Sequence, residues 1–262
     1  ATLVASPTAH RQFSMLFASQ ASILASHASI NVHIDGSSAA TTTAPSFLGA
    51  NIDAASLYQQ TRLDFTDADF RQLGSRLGGA LDSSMTLRLG GSAADDLRLS
   101  SDQNASHGQI ILPLDYFDEL QAFVQGCGFR LAWDLNGMRM RNTDGWWDPT
   151  NARGLLVHVK AAGQPLWAVQ LGNEPGHFQT RSGGFPTPTT HGADFLRLKA
   201  LLHEIFGDHA TRPRVQGPDA CFGHGTDASP CANLTYMRSF LAAAGRETLD
   251  DLTVHNYGLT GP

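Results

Sequence analysis

Residues 166–175 read LWAVQLGNEP, an apolar run that ends in an asparagine, a glutamate and a proline. The run does not alternate with polar residues, which is typical of a strand buried on both faces of a parallel sheet. Pro175 marks the end of that strand, because proline cannot donate to a strand ladder. A carboxylate held there beside apolar walls, as Glu174 would be, suits a general acid. For Asn-Glu-Pro in isolation, an ordinary loop carboxylate is the simpler interpretation.

The same pattern recurs on both sides of this stretch, because six short apolar runs alternate with segments of helical periodicity. This alternation predicts an α/β fold in which helices cover parallel strands. No glycine fingerprint follows the first strand, so a dinucleotide-binding domain loses its main support. We predict strands at 47–53, 86–90, 129–135, 166–172, 214–217 and 252–257, and helices at about 67–79, 114–125, 151–162, 191–206 and 230–244.

Polar residues collect at the carboxyl ends of these strands. Each of them alone fits an ordinary loop residue. Their recurrence after six consecutive strands favours the catalytic face of a (β/α)8 barrel, where active sites are built from strand ends. The residues are Asp53, Arg88, Asn136, Asn173, Glu174, Asp219, His255, Asn256 and Tyr257.

These strand ends also carry motifs through which the chain resembles the heparanase and β-glucuronidase family. That family belongs to the retaining glycosidases that place their acid/base glutamate after an asparagine at the end of strand four. The motifs occur in family order and the resemblance spans about residues 30–262. They are PSFL at 45–48, IDA at 52–54, LRLGGS at 87–92, DLNG at 134–137, LGNEP at 171–175, GPD at 217–219 and VHNY at 254–257.

The resemblance implies Glu174 as the acid/base of a retaining mechanism and Asn173 as its substrate-orienting neighbour. It implies that Asp53 and Ser92 line the subsite of the released sugar, and that His255 and Tyr257 lie beside the nucleophile. Asn136 is counted with the substrate-binding residues.

Some of these assignments have structural alternatives. His255 fits equally a core histidine bonded to backbone, and Asp134, where heparanase has a small residue, fits a buried paired aspartate. Asp219 fits the cap of the loop after the fifth strand better than a substrate ligand. Trp146 and Trp147 precede a helix start, which favours core packing over a sugar platform.

Basic residues are scarce where heparanases grip sulfated chains. Residues 97–125 contain Arg98 as their one base, and His224 stands in the loop after Asp219. Since anionic polymers are held mainly by cationic side chains, a less charged β-linked uronide suits this cleft better than highly sulfated heparan. The alternatives are an inactive glycan-binding or structural extracellular glycoprotein and a glycosidase with neutral sugar specificity.

The resemblance also implies that part of the enzyme lies elsewhere. Only four glutamates occur, and Glu119, Glu204 and Glu247 fall in or just after helical stretches. We therefore expect a companion chain or C-terminal fragment to supply strands seven and eight, the nucleophile and a β-sandwich. Within this chain we expect an N-terminal arm or helix at 1–28, a sandwich strand and linker at 29–44, and strands one to six of the barrel at 45–262.

The composition of the chain excludes several other classes of function. The 262 residues are 16% charged with a net charge of −6, which argues against a general nucleic-acid binder. The sequence contains no run of 18 apolar residues, so it predicts no transmembrane helix. We also expect no metal or cofactor. Sequons at Asn104 and Asn233 favour a secreted or lysosomal-type glycoprotein. Of the three cysteines, we expect Cys221 and Cys231 to be bridged and Cys127 to be a buried thiol.

Overall fold

In the computed structural model of the chain, the described residues are 47–58, 62–79, 85–99, 110–182, 186–223, 234–245 and 247–257. The arm predicted at 1–28 and the sandwich strand and linker predicted at 29–44 lie outside them. So do both sequons, at Asn104 and Asn233, and the predicted disulfide partner Cys231. These assignments stay predictions.

Six of the eight strands in the described residues form one parallel sheet with the order β1-β2-β5-β6-β7-β8. Strands that follow one another along the chain are neighbours throughout this sheet, apart from the small pair β3 and β4. Such an order belongs to consecutive units of a (β/α)8 barrel and confirms the predicted fold class. The strands are β1 (Gly49–Asp53), β2 (Thr86–Gly90), β3 (Leu97–Leu99), β4 (Ile110–Leu112), β5 (Arg130–Leu135), β6 (Ala168–Leu171), β7 (Arg214–Gly223) and β8 (Asp251–Tyr257).

Six α-helices connect and cover the strands within the described residues. Five of them match the predicted helices, with bounds that differ by a few residues. Among the described residues, no helix combines the length and apolarity that a membrane span requires. The helices are α1 (Ala68–Gly79), α2 (Leu114–Cys127), α3 (Thr150–Ala161), α4 (Phe178–Ser182), α5 (Pro188–Phe206) and α6 (Leu234–Ala244).

The hydrophobic core lies against the middle strands of the sheet. All four residues of β6 are buried, as the unbroken apolar run predicted. Helix α5 packs Phe195, Leu198 and Leu202 into this core, each 0% exposed. The edge strands β1 and β8 instead alternate between exposed and half-buried residues. The middle strands therefore form the rigid base from which the strand ends project.

Strand β7 is longer than predicted, because it continues past Gly217 to Gly223. A bulge between Pro218 and Ala220 keeps it paired with β8. Asp219 is the bulged residue, and its φ of 53° lies in the left-handed region. Bulges re-aim side chains at the rims of barrels. The expectation that Asp219 caps a loop after this strand is therefore wrong, since Asp219 lies inside the strand and points into the strand-end cluster described below.

The two-stranded parallel sheet of β3 and β4 was not predicted. Each of its strands has three residues, which is too short for a period to be recognised in sequence. The Nδ2 of Asn136 donates to the carbonyl oxygen of Leu97 at 2.9 Å. This bond attaches the small sheet to the loop that follows β5.

Helix α1 packs on α2 through two glycines and through Phe70, whose ring stacks on that of Phe123 at 4.8 Å. Gly74 and Gly78 are its buried residues. A Cβ at Gly74 would lie 2.7 Å from the Sγ of Cys127, and one at Gly78 would lie 1.9 Å from the Cys127 carbonyl oxygen. Cys127 is a free, buried thiol, as expected. The two helix backbones are therefore as close as two glycines allow.

Gly78→Ala is expected to lower the thermal midpoint of the protein, because a methyl group there forces the two helix backbones apart. Over-packing of this kind costs about 1–3 kcal/mol. Gly154→Ala is the matched control, since no atom lies within 4 Å of its Cβ position in α3. Alanine there gains about 0.5–1 kcal/mol of helix propensity. A Gly78→Ala midpoint at or above that of the wild type would contradict the close helix contact.

Candidate active site

The side chain of Arg88 lies at the centre of the strand-end residues. Its Nε donates to Oε1 of Gln170 at 2.7 Å, and its Nη1 donates to Oδ1 of Asn51 at 3.0 Å. Its Nη2 donates to Oδ1 of Asn173 at 3.0 Å. Gly90 makes room for this guanidinium, since a Cβ at that position would lie 2.4 Å from Cζ of Arg88. One cation thus joins strands β1, β2 and β6.

Two buried carboxylates share the same guanidinium. Nη2 of Arg88 lies 3.3 Å from Asp134 and 3.4 Å from Asp219, whose side chains are 0% and 1% exposed. Asp134 also accepts the N–H of Gly172 at 2.9 Å, and Asp219 accepts Nε2 of Gln170 at 3.3 Å. Burial raises the pKa of both carboxyl groups, and the charge of Arg88 opposes that rise. Asp134 is thus the buried, paired aspartate of the structural alternative.

Glu174 lies three residues after the end of β6 and is 9% exposed. Its φ of 49° and ψ of 63° lie in the left-handed region, which costs about 1 kcal/mol or more for a residue with a side chain. Its backbone N–H donates to the carbonyl oxygen of Asp219 at 3.2 Å. The bulged strand β7 therefore helps to hold Glu174 in this backbone conformation.

Two imidazoles flank the Glu174 carboxylate, one at each oxygen. Nδ1 of His255 lies 2.9 Å from Oε1, and Nε2 of His177 lies 3.7 Å from Oε2. Nε2 of His255 also lies 3.9 Å from Asp219. His255 is consequently not the backbone-bonded core histidine of the alternative interpretation. Its position connects β8 to the glutamate at the end of β6.

The remaining predicted site residues, Ser92, Asp53 and Tyr257, differ in their positions and contacts. Oγ of Ser92 lies 3.5 Å from Nδ2 of Asn173. Asp53 is exposed, and its Oδ1 accepts the N–H of Ala55 at 2.8 Å. Tyr257 is the last residue of β8.

The side chain of Asn136, a predicted substrate ligand, is bonded to the protein itself. It is 7% exposed, and besides its bond to β3 its Oδ1 accepts the N–H of Arg139 at 2.8 Å. Its carbonyl oxygen accepts Nε1 of Trp147 at 3.2 Å. Trp147 is 1% exposed and lies in the core, as expected, while Trp146 lies under the guanidinium of Arg197 at 4.6 Å.

Sequence reasoning missed three polar residues of this face, namely Gln170, His177 and Asp95. Gln170 lies inside the apolar run that defines β6, and a single amide in such a run does not distinguish a site residue from a buried strand residue. His177 follows the LGNEP motif by two positions, and Asp95 follows the LRLGGS motif by three. The signal that could have identified His177 and Asp95 was their closeness to these motifs in the sequence.

Glu174, His177 and Cys221 each offer one ligand atom, and the three atoms lie within 4.8 Å of one another. A carboxylate, an imidazole and a thiolate are a donor set that transition metals accept. The bridge predicted between Cys221 and Cys231 would remove the thiolate from that set. With that bridge formed, the set would consist of one carboxylate and one imidazole.

Most of the chain resembles proteins of one family. Residues 44–262 match the model of the N-terminal domain of glycosyl hydrolase family 79. The chain is 31% identical over 144 residues to the heparanase of Bos taurus, an alignment that covers 55% of this chain and 24% of that protein. It is 29% identical over 117 residues to the inactive heparanase-2 of Homo sapiens, covering 42% of this chain and 19% of the relative.

The chain is also 24% identical over 175 residues to the baicalin-β-D-glucuronidase of Scutellaria baicalensis, covering 59% of this chain and 33% of that protein. In each case the aligned stretch therefore spans a third or less of the relative's length. All the matched relatives named here are heparanase-like or glucuronidase proteins.

Arg88→Met is expected to destabilise the protein by about 3–5 kcal/mol near neutral pH, because it leaves two buried carboxylates without their cation. The loss should be smaller near pH 5. Raised carboxyl pKa values mean that the folded protein binds protons which the unfolded chain releases above about pH 4, so stability falls as the pH rises from there. Thermal midpoints at both pH values measure this difference.

Arg153→Met is the matched control for that experiment. Arg153 pairs with Glu204 at the surface, where the two side chains are 42% and 59% exposed. Such pairs contribute about 0–1 kcal/mol, so the control should show little loss at either pH. Equal losses for Arg88→Met at both pH values would show that the buried charges do not depend on Arg88.

Proposed function

The chain belongs to glycosyl hydrolase family 79, and from this premise we propose that it carries the acid/base half of a retaining glycosidase site. Glu174 is the proposed acid/base, and a nucleophilic carboxylate comes from a segment outside the described barrel units. The observation that carries this proposal is the Glu174 carboxylate itself. It is largely buried at the end of β6 and is flanked by two imidazoles.

The proposed reaction is a double displacement. The nucleophilic carboxylate attacks the anomeric carbon while Glu174 gives its proton to the departing glycosidic oxygen. Glu174 then takes a proton from water, which hydrolyses the glycosyl–enzyme bond. Retention requires the two carboxyl groups to lie about 5–5.5 Å apart across the bond. His255 orients one Glu174 oxygen, and Asn173 offers an amide that can bind the sugar 2-hydroxyl.

The nucleophile is not supplied by the glutamates on the helices. Glu119 lies on α2 and Glu204 on α5, and Glu247 follows α6. Asp134 and Asp219 are near Glu174 but are almost completely buried and tied to Arg88. Among the described residues, these carboxylates therefore offer no exposed partner on the opposite side of a sugar from Glu174.

The edges of the sheet support a companion segment that completes the barrel. On β8, Leu252 is 57% and Val254 46% exposed, and before β1, Phe47 is 71% and Leu48 55% exposed. Apolar side chains on open strand edges are unfavourable in water. Strands seven and eight would lie between β8 and β1, cover these side chains and bring the nucleophile, together with the predicted β-sandwich.

A β-linked uronide is the proposed substrate class. The similarity to a baicalin-β-D-glucuronidase supports it. The charges near the site support it as well, because Arg139 and Arg181 are both paired with Asp96, which leaves less free cationic charge for a sulfated polymer. A neutral glycoside is the alternative for the same machinery. An inactive, glycan-binding glycoprotein is the alternative from another class, supported by the similarity to inactive heparanase-2.

The proposed location of this glycan-cleaving protein is a secreted, extracellular or lysosomal-type compartment. The proposal includes glycosylation at Asn104 and Asn233 and the bridge between Cys221 and Cys231. Cys221 is buried in β7. Peptide mapping without reduction tests the bridge, and finding Cys127 in a disulfide would contradict it.

Glu174→Gln is expected to lower the turnover of glucuronides with poor leaving groups by about 10²–10⁴-fold, because the amide cannot protonate the departing oxygen. Aryl glucuronides with strongly activated leaving groups should lose much less in kcat/KM, since they depart without a proton. Steady-state kinetics on a leaving-group series, with glucosides and xylosides alongside, measure both the role and the sugar preference.

Glu119→Gln is the control for this series, because Glu119 is exposed on the outer helix α2. It should retain wild-type rates on every substrate. Near-wild-type activity of Glu174→Gln on poor leaving groups would remove Glu174 from the acid/base role. A wild-type protein that binds glycans but cleaves none of them would favour the inactive alternative.

The 262-residue chain expressed alone is expected to be aggregated or inactive, because its sheet edges expose apolar side chains and it lacks the nucleophile. Co-expression with the segment that completes the barrel should give a soluble, active protein. Size-exclusion chromatography and an aryl glucuronide assay test this. A stable monomer that cleaves a glucuronide unaided would overturn the companion proposal.

A further inference from the structure

We propose that Asp95 is a positioning residue for Glu174: its buried carboxylate holds the Gly172–Asn173 peptide, one residue before Glu174, and so sets the direction of the acid/base. This inference rests on the proposed function for the role of Glu174. We call the bonds that the Asp95 carboxylate makes to the neighbouring loops the clamp. These contacts exist whatever the role of Glu174. Asp95 lies in the short helical turn Ser92–Asp96 that follows β2.

The carboxylate of Asp95 joins three loops at the catalytic face. Its Oδ1 accepts the N–H of Gly137, after β5, and its Oδ2 accepts the N–H of Asn173, after β6, each at 3.3 Å. Oδ2 also lies 3.1 Å from Nη1 of Arg181 on α4. The side chain is 0% exposed, so it does not contact substrate. Its effect on the reaction has to pass through the backbone that it binds.

The peptide groups before and after Asn173 are therefore each held by a different aspartate. Asp95 binds the N–H of Asn173, and the carbonyl oxygen of Asp219 binds the N–H of Glu174. Glu174 has the left-handed backbone conformation that a non-glycine residue keeps only where its surroundings impose it. The carbonyl oxygen of Glu174 also accepts the N–H of His177 at 2.8 Å. The Asp95 bond restrains the backbone on the N-terminal side of Glu174, and its loss loosens the residue that carries the acid/base on that side.

The loops around Asp95 are built to meet closely. A Cβ at Gly137 would lie 2.9 Å from the backbone nitrogen of Gly172, and one at Gly172 would lie 2.8 Å from the ring of Phe178 and 3.3 Å from Oδ1 of Asp95. Gly172 has a φ of 85°, which glycine adopts readily. Because side chains are absent there, one carboxylate reaches the backbone of both loops.

Arg181 makes the buried charge tolerable. Burial raises the pKa of Asp95 to about 7, and the charge of Arg181 together with the two backbone donors opposes that rise. Arg181 also donates from Nη2 to the carbonyl oxygen of Ser92 at 2.6 Å and pairs with Asp96 at 3.2 Å. A buried carboxylate with one cation and two backbone donors is unfavourable as packing alone. The position of Asp95 offers a functional reason for this unfavourable burial, since the loop that Asp95 binds carries Glu174.

Asp95→Asn tests the clamp in the complete enzyme, because the amide places a donor against groups that only donate. Hydrogen exchange should become faster at the amides of Asn173 and Glu174 by about tenfold or more. For glucuronides with poor leaving groups, kcat/KM should fall by about 10–100-fold, the size expected for a misplaced catalytic group. For activated aryl glucuronides it should fall by less than about threefold, because they need no proton.

Asp118→Asn is the control. Asp118 lies on the outer helix α2, where it bonds His158 at 2.7 Å, away from Arg181 and from the Asn173 peptide. It should leave both the exchange at Asn173 and the leaving-group ratio unchanged. A general loss of structure would instead lower the rates on all substrates by the same factor and raise exchange throughout the barrel.

If Asp95→Asn does not fold, Arg181→Gln loosens the same carboxylate from its cationic side, and Arg181→Lys should restore the wild-type ratio. Unchanged exchange at Asn173 and Glu174 in a folded variant would overturn the clamp. A changed exchange with equal loss on both classes of leaving group would overturn its role in positioning the acid/base. If the wild type cleaves no glycoside, the proposed function fails, and the exchange result still decides the clamp.

Discussion

The constraint on which this structure depends is the sharing of one guanidinium, that of Arg88, by two buried carboxylates. Asp134 comes from β5 and Asp219 from β7, and Arg88 itself comes from β2. Ionised carboxylates are stable inside a protein only when cations and donors surround them. Every strand that contributes to this cluster must therefore hold its charged residue at the same level of the barrel. The register of the sheet and the charge of its catalytic end are set together.

The same cluster places Glu174. The carboxylate of Asp219 pairs with Arg88, while the carbonyl oxygen of Asp219 binds the N–H of Glu174. Asn173, beside Glu174, accepts a bond from Arg88 and gives its own N–H to Asp95. The proposed acid/base thus stands on a frame in which charged side chains from several strands are bonded to one another. Such prior organisation is what electrostatic catalysis requires, because the protein then does not rearrange during the reaction.

Much of the fold could be predicted from the sequence, because the strands of a parallel sheet are read from their unbroken apolar runs. The run that forms β6 and the apolar face of α5 are of this kind. The extension of β7 could not be predicted, since Pro218 and Asp219 have the composition of a loop and the bulge depends on pairing with β8. Strands β3 and β4 could not be predicted, because three residues are too few to show a strand period.

The candidate site divides in the same way. Glu174, Asn173 and His255 could be predicted because they stand at strand ends within motifs. Asp95 could not, because an aspartate after two alanines has the pattern of a solvated turn, and its burial follows only from how close three loops come. Contacts between residues far apart in sequence, such as that between Asp95 and Arg181, depend on the packed barrel and leave no local periodicity.

The most direct test of the central claim, that this chain holds the acid/base and not the nucleophile, is to trap the glycosyl–enzyme intermediate. The complete enzyme would be inactivated with a 2-fluoro glucuronide that carries a good leaving group, and its peptides mapped by mass spectrometry. The account predicts that the sugar is attached to a carboxylate outside these 262 residues and that Glu174 is unmodified. Attachment to Glu174, Asp219 or another carboxylate of this chain would contradict it.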